Sequence, residues 1–246
     1  MHLAAFYESI APGTLLQTDA VQDDILTTQG GKFLLLDSWD LIAAQSFGTD
    51  LQRGRLVAPT FNKIGQPYVR PVRDLNEISS FQPLANYTKY PFALPNRENI
   101  GFEALHDDAA DTVCGGLILL SKGMIPTPPG QIYTIRGTAS TAAVPGVWTS
   151  IDTVYENDLE GGFYNVVGGA VIGTGSLAFR VISQYQVERP GGLCLSDINQ
   201  QTHPIFRAGA LGKWIEFESD SLPTVQVLSI SPTVNWEVYL DIVKVR

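Results

Sequence analysis

Apolar and β-branched residues in this chain come in short runs broken by glycine and proline, and the runs have the period of strands. Residues 236–245 show it most cleanly. Trp236, Val238, Leu240 and Ile242 fall on one face, and Glu237, Tyr239 and Asp241 on the other. Residues 131–140 (QIYTIRGTAS) and 163–172 (FYNVVGGAVI) are rich in β-branched and aromatic positions. Gly173-Thr174-Gly175, followed by residues 176–187 (SLAFRVISQYQV), predicts a hairpin with the run before it. Residues 113–121 (VCGGLILLS) form a continuous apolar run, the pattern of a strand buried on both faces. Further strands are predicted over 32–36, 41–47, 55–61, 68–72 and 101–105. Residues 18–27 (TDAVQDDILT) admit either a turn of helix capped by Thr18 or Asp19, or a polar loop. About 15 short strands separated by turn signals predict an all-β chain built as sandwich or barrel.

One segment breaks the pattern. Gly123-Met124-Ile125-Pro126-Thr127-Pro128-Pro129-Gly130 holds three prolines in eight residues, which cannot supply the donors of a central strand. It lies at the middle of a 246-residue chain, between two strong strand runs. The predicted organisation is two tandem β-barrels: an N-terminal barrel over 1–122, a Pro-rich linker over 123–130 and a C-terminal barrel over 131–246. Residues 1–29 are expected as an extended N-terminal arm ordered by neighbours. The alternative is one large β-sandwich.

Composition changes this picture in one respect. Only 17% of residues are charged while 44% are apolar, so part of the surface is suited to facing other protein. A net charge of −9 argues against a wholly basic nucleic-acid binder, and no sequence-specific nucleic-acid binding is expected. No apolar run reaches the length of a membrane-spanning helix. The first residues lack the basic and apolar pattern of a signal peptide. Two cysteines, Cys114 and Cys194, make no disulfide framework.

Candidate chemistry is sparse. His2, His106 and His203 have no metal-ligand spacing. His106 with Glu103, Asp107, Asp108 and Asp111 can be read as a carboxylate site for a divalent cation or as a solvated loop, and the loop is preferred. His203-Pro204 reads as a turn. Cys114 lies inside an apolar run, where burial raises a thiol pKa, so it reads as structural. Gly173–Ala178 has the spacing of a dinucleotide loop but is followed by a strand pattern, not a helix. Asp152, Glu156, Asp158 and Glu160 form an acidic cluster with no glycosidase-like spacing that sequence can establish. Arg53, Arg55, Lys63, Arg70 and Arg73 read as edge-strand charges or as contacts to a neighbour's acidic patch, in preference to a phosphate-binding stripe. Asn86-Tyr87-Thr88 matches a glycosylation sequon and reads as chance. No catalytic, cofactor-binding or metal residues are assigned, and a non-enzymatic protein without cofactors is expected.

Three stretches carry a resemblance. They are Arg55-Leu56-Val57-Ala58-Pro59-Thr60-Phe61 running to Gln66-Pro67-Tyr68-Val69-Arg70-Pro71-Val72; Pro128-Pro129-Gly130 leading through Ile132-Tyr133-Thr134-Ile135-Arg136-Gly137 to Gly146-Val147-Trp148; and Arg189-Pro190-Gly191 with Phe206-Arg207-Ala208-Gly209-Ala210-Leu211-Gly212-Lys213-Trp214, closing on residues 223–229 and the last strand. In layout the chain resembles the jelly-roll major capsid proteins of tailless icosahedral bacteriophages, especially the double β-barrel type. The resemblance implies a virion coat protein, assembled in the host cytoplasm, without catalytic residues. It implies homotrimers whose six barrels give a near-hexagonal capsomer, contacts to neighbouring capsomers and other virion proteins, and an internal lipid membrane as a further partner. The rival readings are a carbohydrate-binding sandwich or fibre module using Trp39, Trp148, Trp214 or Trp236 as platforms, and a cupin-type enzyme, which three scattered histidines disfavour.

Overall fold

The computed structural model describes residues 1–48, 50–63, 65–69, 84–123, 126–156, 158–193 and 203–245. Among these the chain is all-β, with twenty strands, no α-helix and two short 3-10 turns, Pro59–Lys63 and Pro204–Phe206. It divides into two compact units, Leu3–Gly123 and Met124–Arg246, the latter joined by Met1–His2. Every sheet takes its strands from one side of Gly123.

The first unit contains β1 (His2–Ile10), β2 (Leu16–Thr18), β3 (Thr27–Gln29), β4 (Lys32–Leu35), β5 (Trp39–Gly48), β6 (Leu51–Val57), β7 (Tyr68–Val69), β8 (Ala85–Asn86), β9 (Phe92–Leu94), β10 (Glu98–His106) and β11 (Thr112–Ser121). One sheet runs β1-β11-β5-β8, with β9 also on β5; the other runs β3-β4-β10-β6-β7, with β2 also on β10. Both sheets send side chains into one core that includes Phe6, Leu41 and Ile118 from the first and Phe33, Leu56 and Phe102 from the second. Phe6 is at its centre, with ring centroids 5.1 Å from Phe33 and 5.9 Å from Phe102. Two glycines of β11 permit this packing. A Cβ at Gly115 would strike the Phe6 carbonyl, and one at Gly116 the Phe102 ring.

The second unit contains β12 (Ile132–Ala139), β13 (Thr149–Ile151), β14 (Val154–Tyr155), β15 (Phe163–Ile172), β16 (Ser176–Ile182), β17 (Gly191–Leu193), β18 (Ile215–Glu218), β19 (Thr224–Ser229) and β20 (Trp236–Lys244). Its sheets run β14-β12-β20-β15-β18 and β13-β19-β16-β17. The β12–β20 ladder is the longest regular one, from Ile132 opposite Val243 to Ala139 opposite Trp236.

The pairing is nested in both units. In the first, β1 pairs with β11, β4 with β10, β5 with β8 and β9, and β6 with β7. In the second, β12 pairs with β20, β13 with β19, β15 with β18, and β16 with β17. Outermost strands pair with outermost and innermost with innermost, as in one long antiparallel ribbon folded over on itself.

Several sequence expectations change. Residues 1–29 are not an arm: β1 is a core strand, and Phe6 is fully buried. An apolar strand of this length gains more from burial than from extension into solvent. Residues 18–27 form no helix; after β2 the Asp23 Oδ1 accepts from the Ile25 and Leu26 N–H groups, which is a local Asx turn. The turn at 173–175 is not a hairpin within one sheet. β15 pairs with β20 and β18, whereas β16 pairs with β19 and β17, so the chain crosses between sheets there. Strand β6 stops at Val57, because Pro59 opens a 3-10 turn. The strand predicted over 68–72 is described only as β7, Tyr68–Val69. Met124 and Ile125 of the Pro-rich segment lie outside the described residues.

Candidate functional site

The most elaborately built polar site is on the outward face of β20. Asp241 belongs to the face opposite Trp236, Val238 and Leu240, yet its side chain is only 2% exposed. A loop leading towards β18 covers it. Arg207 donates from Nε to Oδ2 at 2.7 Å and from Nη2 to Oδ1 at 2.9 Å, a bidentate fork. The Ala208 N–H reaches Oδ2 at 2.8 Å, and Thr134 Oγ1, across the ladder on β12, donates to Oδ1 at 2.7 Å. Burial pushes this carboxyl up, but the Arg207, Ala208 and Thr134 hydrogen bonds outweigh it and hold the pKa below its ordinary value.

Local sequence explains why the loop settles there. The β15–β20 ladder slips between Val166 and Gly168, a bulge that turns β15 carbonyls outward. Gly209 N donates to Val167 O at 3.0 Å and Trp214 N to Val166 O at 2.8 Å. Gly168 leaves room, since a Cβ there would meet the backbone of Phe206, Arg207 and Ala208. Upstream, His203 caps the 3-10 turn Pro204–Phe206 by accepting from the Ile205 N–H at its Nδ1, at 3.3 Å. Burial lowers the pKa of this imidazole, which suits the neutral acceptor form.

A second buried charge lies on the other sheet. Arg180 of β16 is 1% exposed. Its guanidinium is 4.3 Å from the Trp148 ring centroid, and its Nε donates to Gln226 Oε1 at 2.7 Å. Arg189 Nη1 donates to the same oxygen at 3.1 Å, and Gln226 Nε2 donates to Ser150 Oγ at 3.2 Å. Neither this network nor the Asp241 one was visible as a site in the sequence. Both clamp irregular segments onto sheets.

The residues singled out from sequence are placed as follows. His106 is not in a solvated loop. It ends β10 with no exposed surface, and its Nε2 lies 2.7 Å from Ile10 O. The acids near it serve separate partners: Glu103 pairs with Arg55 at 2.6 Å, Asp107 bonds Gln52, and Asp108 accepts from the Ala109 N–H. Among the described residues no group of three His, Cys, Asp or Glu side chains converges to hold a metal. Arg55 is not an edge charge, since β6 is paired on both sides and Arg55 stands opposite Glu103 in the β6–β10 register. The Lys63 side chain, Arg70, Arg73 and Cys194 lie outside the described residues. Cys114 is buried, and burial pushes its thiol up to about 12, as its apolar run predicts. The acidic cluster disperses, with Glu156 on Arg136 and Glu160 on Lys244. Gly173–Ala178 leads into strand β16. Asn86 Oδ1 accepts from the Thr88 N–H and hydroxyl, at 3.0 and 2.7 Å, an Asx turn. All four tryptophans are buried, which removes them as exposed platforms.

A shallow cavity of about 340 Å³ in the first unit is lined by Trp39, Asp40, Leu94, Ser121 and Lys122. Its one ammonium group is engaged, lying 4.6 Å from the Trp39 ring centroid and 2.8 Å from the Asp37 carboxylate. No helix among the described residues is long and apolar enough to cross a membrane. No protein-family model matches the chain, and no curated protein sequence matches it. Several of the charged groups that the fold brings together hold loops to sheets, and others, such as Arg55 with Glu103, join neighbouring strands.

Proposed function

We propose that the chain is the major coat protein of an icosahedral virus, with each unit a jelly roll and the two rolls in tandem. The observation that carries this reading is the nested pairing repeated in both units. Rolling a four-pair antiparallel ribbon into a barrel produces two sheets in which strands one, eight, three and six are neighbours, and likewise two, seven, four and five. With the short strands β2, β3 and β14 set aside, and β8 and β9 counted together as the sixth strand, both units follow that order. Jelly rolls also serve lectins and cupins. The burial of all four tryptophans speaks against the lectin use. Two such rolls in one low-charge chain are suited to the broad contacts of a shell.

On this reading the protein is not an enzyme and works in the virion. Its partners are further copies in a trimeric capsomer, neighbouring capsomers, other virion proteins and a lipid membrane beneath the shell. The test is assembly. Purified protein, followed by light scattering and electron microscopy, should give trimers that build regular closed particles. A chain that stays monomeric at high concentration, and binds glycans on an array, would replace this reading with the lectin one.

A further inference from the structure

We infer that the uncharged loop end of the second unit is the surface through which copies of this chain meet. The inference rests on the coat-protein reading and names a contact surface that the reading leaves open.

Among the described residues three loops form this end: 140–148 between β12 and β13, 173–175 between β15 and β16, and 230–235 between β19 and β20. They are tied into one body. Ala143 N donates to Thr233 O at 2.8 Å, Gly146 N to Ser229 O at 3.0 Å and Ile230 N to Gly175 O at 2.8 Å. Trp236 Nε1 donates to Thr141 O at 2.9 Å, and the Thr233 hydroxyl to Thr174 O. In a chain with 17% charged residues, none of the three loops carries a charge, nor do the flanking spans 137–151, 161–179 and 221–236. Loop tips are ordinarily the most solvated part of a β domain. Here Val144, Val147 and Val234 stand 55%, 47% and 49% exposed, beside exposed Pro145 and Pro232.

Charge decides what fits. Nucleic acid needs cations against its phosphates, and these three loops have none. An anionic lipid surface favours Lys, Arg and interfacial Trp or Tyr. The exposed apolar groups here are valine and proline, and Trp148 is buried. A second copy is the occupant that matches. Each chain carries a net −9, so copies that approach through acidic faces repel. The three described loops present no like charge to repel and no charge to strip of water. Valine and proline lose little side-chain entropy on contact. An uncharged patch is complementary to itself, as a symmetric contact requires.

The test introduces charge where the fold tolerates it. Val144→Lys combined with Val234→Lys, and separately Val147→Glu, are compared with Val187→Lys, a control at a site 72% exposed outside these loops. Circular dichroism and thermal midpoints check that each variant folds; sedimentation velocity and light scattering read assembly. The loop variants should raise the dissociation constant between copies at least about tenfold, and the control should assemble as the wild type does. Loop variants that assemble normally would overturn the inference while leaving the coat-protein reading in place. So would variants that lose only binding to phosphatidylcholine–phosphatidylserine vesicles. A wild type that forms small oligomers dissolved by the loop variants, but never particles, supports the contact surface and removes the coat-protein reading.

Discussion

The two units share a pairing scheme and differ in the charge of the loops at one end. In the first, the described loop residues that correspond to the uncharged end of the second are 11–15, Asp50 and 107–111, and they bring Asp50, Asp107, Asp108 and Asp111 to one end. Gly13 N donates to His106 O at 2.9 Å, which ties the first of these loops to the end of β10, and Asp107 N donates to Asp50 O at 3.4 Å. Beneath them the core is aromatic hydrocarbon around Phe6. In the second unit the described loops at this end carry no charge, and Asp241 and Arg180 are buried under covering segments on the outer sides of the sheets. Both units use buried carboxylates to pin irregular segments: Glu98, 5% exposed, accepts from the Thr60 N–H and hydroxyl in the first, as Asp241 accepts from Arg207 and Ala208 in the second. The difference lies in the loops, which carry aspartates in the first unit and no charge among the described loop residues of the second.

The largest effect expected from breaking this contrast is in the first core. Phe6→Ala should cost about 3–5 kcal/mol, the usual result for a fully buried phenylalanine whose neighbours cannot collapse into the space. Amide hydrogen exchange should show the loss in β1, β4 and β10. A drop in protection confined to the second unit would contradict the division of the core drawn here.

In the second unit the corresponding lever is the Asp241 clamp. Arg207→Met leaves a buried carboxylate with only Ala208 and Thr134, and should cost about 2–3 kcal/mol, less than a fully enclosed pair because Arg207 is 37% exposed. Adding Asp241→Leu should restore much of that stability, since no unpaired charge then remains. The pH dependence has a definite sign. The folded pKa of Asp241 lies below its unfolded value, so the stability it confers is in place above the unfolded value of about 3.9 and is lost as the pH falls through the folded one. His203 acts in the same direction at higher pH. Its folded pKa is also lowered, so its contribution is in place above about 6.5 and is lost as the pH falls through the folded value. Urea midpoints between pH 7 and 2 should fall in the wild type, and the part below about pH 4 should be smaller in the double variant. A double variant with the full acid dependence would exclude Asp241 as its source.

Strands were legible in the sequence wherever one residue's side was decided by its own sheet. β15 coincides with its predicted run, β12 falls within one residue of each bound, and β11 is buried on both faces along its apolar half, as a continuous run predicts. What was not legible depends on chain segments far away. Alternation placed Asp241 on the outward face correctly, but only the loop carrying Arg207, 34 residues earlier, makes that face an interior. His106 lies in an acidic stretch that reads as a loop, yet its ring meets the carbonyl of Ile10, 96 residues away. The turn at 173–175 has the composition of a hairpin. The nested pairing, a property of the whole ribbon, sends its two arms into different sheets.

The smallest expected effect sharpens the contrast between the loop ends. Asp108 makes only a local bond, its Oδ1 accepting from the Ala109 N–H, and Asp111 is exposed. Replacing both by Asn should change stability by no more than about 0.5 kcal/mol, as for surface changes away from any cap, core or ion pair. Association is where the change should register. If acidity keeps this end from joining other copies, the Asp108→Asn, Asp111→Asn variant should associate more readily at low salt, and added salt should erase the difference from wild type by screening the remaining carboxylates. Light scattering against ionic strength measures this directly. A variant whose association is unchanged at every salt concentration would mean that the acidic end owes its solubility to something other than charge.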